Sequence, residues 1–310
     1  MNLELSLKIL GAALWLVLVA CLQLDLESES WIVLLLMFSP LFLIPLSRRL
    51  IESPTDARRL EKSSMAAAIL LGLSFCWMPA PSTAVLALPW LIIRLLLAWQ
   101  ALSQERPELG LAQISLLAAR CFPAIGALWL FANRANWTPL GFDPLIVLLT
   151  GAHFHHAGFT LPLIAGMHAQ RCPSCWTRFS CLAILIGVPI VAMGITCTHF
   201  GILAFVEPFG VTLLVLGAMG VACSQWRLSL QVGLHWSHRF LHAISGLALI
   251  GSMTLALGFG LRHLWPWAAL SMPQMWTLHG SLNVFGFGLC SLLGWRLMEH
   301  RRTWSQSEVS

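Results

Sequence analysis

The chain has 310 residues, is 58% hydrophobic and only 10% charged, and has a mean hydropathy of +0.79. So little charge over this length excludes a soluble globular domain and makes lipid the expected solvent. The net charge of +5 comes without any run of basic residues interleaved with aromatics on a polar face. That excludes nucleic acid as a partner and makes the charge a matter of membrane topology.

At roughly 20 residues per crossing, the apolar segments fall near 7–24, 31–46, 64–77, 82–102, 111–132, 144–168, 179–198, 205–221, 240–261 and 274–297. They predict an all-α, polytopic transmembrane helical bundle of about ten spans, folded as one domain over 1–310. Pro79-Ala80-Pro81 forces a tight turn between the third and fourth segments, because proline removes an N–H and clashes with the preceding turn. Trp31, Trp90, Trp137, Trp226, Trp236 and Trp276 lie near predicted span ends, where indoles form an interfacial belt.

The first segment ends in Leu18-Val19-Ala20-Cys21, which resembles a lipoprotein processing box. Glu4 and a single Lys8 make a poor signal n-region, so the segment reads as a span. Arg48, Arg49, Arg58, Arg59 and Lys62 crowd one loop, Arg171 and Arg178 another, and Arg301 and Arg302 follow the last span. With ten spans these lie on one side, opposite Arg134 and Arg262. The positive-inside rule then makes both termini cytoplasmic, in a bacterial inner membrane.

The sixth segment holds His153-Phe154-His155-His156. Imidazoles at that depth are costly unless they face a partner, a cavity or a metal. On an ideal helix His153 and His156 lie about 60° apart, on one face with Thr160, while His155 points largely elsewhere. A single histidine there would read as interhelical glue; three within four residues favour a proton relay or an acid–base pair. In the last segment His279 and Asn283 are i,i+4 neighbours, and Gly280, Gly286 and Gly288 allow close approach of a helix or a ligand. Glu207-Pro208 begins the eighth segment, where an acid and a proline are ordinary capping features and a catalytic acid is the sharper alternative. Arg94 and Arg120 fall inside apolar segments, where each can snorkel, pair with Glu207 or bind an anionic substrate group. His235, His238 and His242 share a face beside Arg239 and read as an interfacial surface helix. Metal or haem ligation is the other reading.

The nine cysteines make no disulfide framework. Cys172-Pro173-Ser174-Cys175 is one isolated C-x-x-C, short of a second half-site or a thioredoxin-like setting. Walker A, dinucleotide and HExxH patterns are absent. The histidine spacing also departs from the boxes of membrane desaturases.

The stretch from Gly151 to Leu163, GAHFHHAGFTLPL, and the stretch from His279 to Phe287, HGSLNVFGF, followed by Gly294-Trp295, resemble the signature of the YndJ-like membrane proteins. The resemblance implies a multi-spanning bacterial membrane protein without an established activity, and it suggests that the two histidine blocks belong to one site. The leading expectation is an enzyme of isomerase or cyclase type acting on a lipophilic small molecule by general acid–base chemistry. His153 and His156 are the expected proton donor and acceptor, with His279, Asn283 and Glu207 completing the catalytic set and His155, Arg120 and Arg94 binding substrate. No cofactor is predicted; a metal- or haem-dependent oxidoreductase on the same imidazoles is the chemical alternative. A proton-coupled transporter is the alternative from another class. Membrane lipid is the surrounding partner, and the oligomeric state is left open.

Overall fold

In the computed structural model the described residues are 3–22, 25–51, 54–103, 110–264 and 270–307. Among them there are helices and no strands. The order is α1 (Leu3–Cys21), α2 (Glu29–Phe38) running through a π-helical turn (Ser39–Leu43) into α3 (Ile44–Ile51), then α4 (Pro54–Ser74), α5 (Pro81–Ser103) and α6 (Leu111–Arg134). There follow α7 (Pro144–His156), α8 (Thr160–Arg171), α9 (Cys175–His199), α10 (Val206–Ser229) and α11 (Trp236–Gly260). The last passage begins as α12 (Met272–Gln274), is π-helical over Met275–Gly280 and Leu282–Leu289, and ends as α13 (Cys290–Ser307).

Among the described residues six helical stretches are long and apolar enough to cross a membrane: Glu29–Arg48, Pro81–Ser103, Leu111–Arg134, Cys175–His199, Val206–Ser229 and Trp236–Gly260. Their outward faces are apolar. Along α5, Val85, Ile92, Leu95, Leu96 and Trp99 are all exposed, as a lipid-facing surface requires. The side chains of Arg49, Arg58, Arg59, Arg301 and Arg302, on which the reading of orientation leans, lie outside the described residues.

The expected span 144–168 is two helices. Pro162 sits in the first turn of α8 and has no N–H for the carbonyl of Gly158, so a continuous helix is broken there. The chain turns through Ala157-Gly158-Phe159, and the Thr160 hydroxyl takes over the His156 carbonyl at 2.8 Å. At the other end Asp143 caps α7, accepting from Leu145 N at 2.8 Å, with Pro144 as the first helical residue.

Pro40 does similar work in the α2–α3 passage. Without its N–H the ladder slips. Ser39 N–H turns back to the Leu36 carbonyl, and the Leu35 carbonyl is left to a side chain, His156 Nε2, at 3.0 Å. Ser39 Oγ donates to the His155 carbonyl at 2.7 Å. The irregularity in α2 is therefore what clasps α7.

The helices pack largely with their neighbours in sequence: α4 on α5, α5 on α6, α6 on α7 and α8, α9 on α10, and α10 on α11. The α9–α10 crossing is close because Gly187 lies against the backbone of Leu214; a Cβ there would come within 3.0 Å of Leu214 Cα. The last passage rests on α11, where Gly286 meets Ala248.

Candidate functional site: a cavity between the histidine blocks

The α2 passage, α7 to α11 and the last passage surround a partly open cavity of about 430 Å³. Its walls are chiefly apolar, with Leu35, Ile146, Leu149, Val211, Met253 and Phe259 among them. Five of the residues expected to act together line it: His153 and His156 from α7, His279 and Asn283 from the last passage, and Glu207 from α10. Thr150, Thr160, Thr198, His199 and Arg262 complete the polar lining. His153 lies deep in the bundle yet is exposed, because its ring faces this space.

The hydrogen bonds fix how each ring presents itself. A carbonyl only accepts, so a ring nitrogen facing one carries the proton. His153 Nδ1 lies 2.7 Å from the Leu149 carbonyl. Its N–H is spent there, and Nε2 keeps a lone pair toward the cavity. His156 Nε2 donates to Leu35, and its Nδ1 is buried without a protein partner. His279 Nδ1 is 2.9 Å from the Ser252 carbonyl and 3.0 Å from its hydroxyl. Asn283 Nδ2 sits 3.1 Å from His279 Nε2 and 3.0 Å from the His279 carbonyl. Both amide hydrogens are thereby used, and Oδ1 remains an acceptor.

At one end of the cavity Glu207 forms an ion pair with Arg262, Oε1 to Nη1 at 2.6 Å, and accepts from Thr198 Oγ1 at 2.7 Å. The carboxylate is 5% exposed. It ties the start of α10 to the end of α11, so its partner is Arg262 rather than Arg94 or Arg120. The capping position is as expected; the bond across two helices is what tertiary structure adds.

His155, Arg94 and Arg120 do not line this cavity. His155 is fully buried and satisfied on both nitrogens, donating from Nδ1 to the Gly151 carbonyl at 2.8 Å and accepting at Nε2 from Trp90 Nε1 at 3.0 Å. The Arg94 guanidinium lies 4.4 Å over the Trp90 ring and donates to Ser64 Oγ at 2.7 Å. Arg94 and Arg120 border a separate recess of about 20 Å³, with Arg48 beside them.

The reading of His235, His238 and His242 as a surface helix holds for His235, which is exposed at the N-cap of α11, and is corrected for the other two. His238 and His242 are 3% and 0% exposed, inside α11. His242 Nδ1 meets Gln225 Oε1 at 2.5 Å, Gln225 Nε2 donates to Ser291 Oγ at 2.6 Å, and Ser291 meets Ser245 at 2.5 Å. The rings of His168 and His242 stand edge-on to Trp295, with centroids 5.3 and 6.0 Å away. Gln225, Ser245 and Ser291 escaped the sequence reading, since a lone amide or hydroxyl in an apolar run carries no periodic signal. Their one trace is the spacing His238, His242, Ser245, Ser252 along one face of α11. Among the described residues no group of three His, Cys, Asp or Glu side chains is placed to hold a metal ion.

Long apolar helices with a partly polar cavity between them define a multi-pass integral membrane protein. The model of the YndJ-like protein family matches residues 34–287, and the chain belongs to that family. It is 27% identical over 187 residues to a protein of Bacillus subtilis (strain 168) described as "Uncharacterized membrane protein YndJ". That alignment takes in 60% of this chain and 33% of the relative, so it spans about a third of the relative's length. No solved structure matches.

Proposed function

We propose that the protein is an intramembrane enzyme that moves a proton on a lipophilic small molecule, an isomerase or cyclase in type. The observation that carries this is the convergence of His153, His156, His279, Asn283 and Glu207 on one cavity with otherwise apolar walls. His153 Nε2 is the base. It takes a proton from the substrate, and the resulting imidazolium, held through Nδ1 by the Leu149 carbonyl, returns it at a second atom. Proton and charge balance within the cycle, and no cofactor enters it. His156, held through Nε2 by the Leu35 carbonyl, forms the wall beside His153, and the His279–Asn283 pair orients the substrate. Apolar walls exclude water and raise the effect of each polar group. In this proposal the chain forms a single domain of ten spans with both termini cytoplasmic, in a bacterial inner membrane.

The test is deuterium incorporation. Membranes carrying the protein are incubated in deuterated water with cell lipid extract, and the lipids are compared by mass spectrometry. A lipophilic species that gains deuterium with the wild type and not with His153→Ala is expected. No difference between the two would remove the acid–base reading.

One observation favours a second reading, a proton-coupled carrier. The chain His242–Gln225–Ser291–Ser245 ends on the carbonyl of Phe287, reached at 3.4 Å, and Phe287 lines the cavity. In reconstituted vesicles a carrier predicts substrate-driven acidification that is lost in Ser245→Ala.

A further inference from the structure

Apart from the His199 ring and the Arg262 guanidinium, the polar atoms on the cavity are chiefly acceptors. His153 Nε2 and Asn283 Oδ1 keep their lone pairs, the His153 N–H being held by the Leu149 carbonyl and the Asn283 amide hydrogens by His279. The hydroxyls that line the space are spent as donors elsewhere. Thr150 donates to the Ile146 carbonyl at 2.7 Å, Thr160 to the His156 carbonyl at 2.8 Å, and Thr198 to Glu207 at 2.7 Å. Arg262 directs Nη1 to Glu207 and the Phe259 carbonyl, and Nη2 to Glu207. The acceptor that faces the space is His153 Nε2, on a ring that lies within the bundle and is exposed on the cavity wall. An acceptor of that kind calls for a donor from whatever occupies the space.

We infer that the cavity takes an apolar molecule bearing a hydroxyl group, which donates its hydrogen bond to the lone pair of His153 Nε2. This rests on the reading of the cavity as the substrate site and names the chemistry of its occupant. A ketone, an aldehyde or an ether offers acceptors only and would leave two lone pairs facing another. A protonated amine would donate, yet it brings an uncompensated charge among apolar walls, with the carboxylate of Glu207 already neutralised. Size follows from volume. A dry cavity of about 150 Å³ holds benzene, so 430 Å³ suits a molecule of roughly 18 carbon atoms on the same scale.

The test uses purified full-length protein in detergent and reads its melting temperature against straight-chain, branched prenyl and ring-bearing alcohols of 12 to 20 carbons. Each alcohol is paired with its methyl ether, its carbonyl counterpart and its amine. At least one alcohol is expected to raise the melting temperature and to bind ten-fold or more tighter than its ether and carbonyl counterparts. That preference should shrink to within about two-fold in His153→Phe, whose own fold is checked by its unliganded melting curve. The discrimination is read in the wild type, so a poorly folded variant does not blunt it. Ethers or ketones binding as well as the alcohol, amines binding tighter, or no alcohol of the series binding would each overturn the inference. An alcohol that binds selectively while no deuterium is exchanged would leave this inference standing and remove the acid–base reading.

Discussion

A buried imidazole has two nitrogens to satisfy, and by that measure the histidines divide into kinds. His155 has both satisfied within the protein, by Gly151 and Trp90; it holds α7 against α5. His153 and His156, from the same turn, each have one nitrogen bonded to a carbonyl; the second of His153 is turned to the cavity and that of His156 is buried without a protein partner. The division makes a prediction. Trp90→Phe removes the donor to a fully buried nitrogen and should cost about 1–3 kcal/mol, the usual penalty for an orphaned polar atom. Chemical or thermal unfolding in detergent reads that loss, and ligand selectivity should stay as in the wild type. A selectivity change of ten-fold would mean that His155 acts on the cavity after all. Gln225→Leu is expected to cost more, because it strips His242 and Ser291 of partners together. A melting temperature equal to wild type would show that the His242 network contributes nothing to the fold.

At the scale of elements, prolines and glycines decide what the apolar runs cannot. Pro40 and Pro162 each interrupt a ladder, and the freed or exposed carbonyls are taken by His156 and Thr160. The α2–α7 clasp is therefore a product of two helix defects placed side by side. The α9–α10 contact depends on the missing side chain at Gly187. Gly187→Leu puts bulk against backbone that has nowhere to move, and overpacking of that sort costs about 1–3 kcal/mol. Gly201→Leu in the α9–α10 turn is not a fair control, because its φ of +67° penalises any side chain. Gly233, with open space where a Cβ would stand, is one. Expression level and melting temperature should fall for Gly187→Leu and hold for Gly233→Ala; equal behaviour of the two would remove the close-approach account of α9 and α10.

For the whole molecule the open question of arrangement is the direction of the chain through the bilayer. In the ten-span proposal Lys62 and Thr138, both exposed, lie on opposite faces. With the native cysteines replaced by serine, Lys62→Cys should resist a membrane-impermeant thiol reagent in intact cells and Thr138→Cys should react. The reverse pattern would invert the orientation; labelling of both would break the span count.

The sequence by itself determined that lipid is the solvent, that the regular structure of the described residues is helical, and which family the chain belongs to. Each follows from local chemistry: apolar runs of crossing length, and two short blocks whose residues stand in a fixed order. It also singled out His153, His156, His279, Asn283 and Glu207, because ionisable or polar groups in apolar runs stand out. Only the tertiary structure decided that they face one space, since a helix fixes the faces within one segment and says nothing of which segments become neighbours. The same reason explains the rest. Arg262, and not Arg94 or Arg120, meets Glu207 because α10 packs on α11. His238 and His242 are interior because the last passage covers that face of α11. That His153 keeps a lone pair in the cavity was decided by the Leu149 carbonyl offered along α7, a contact that residue spacing alone does not announce.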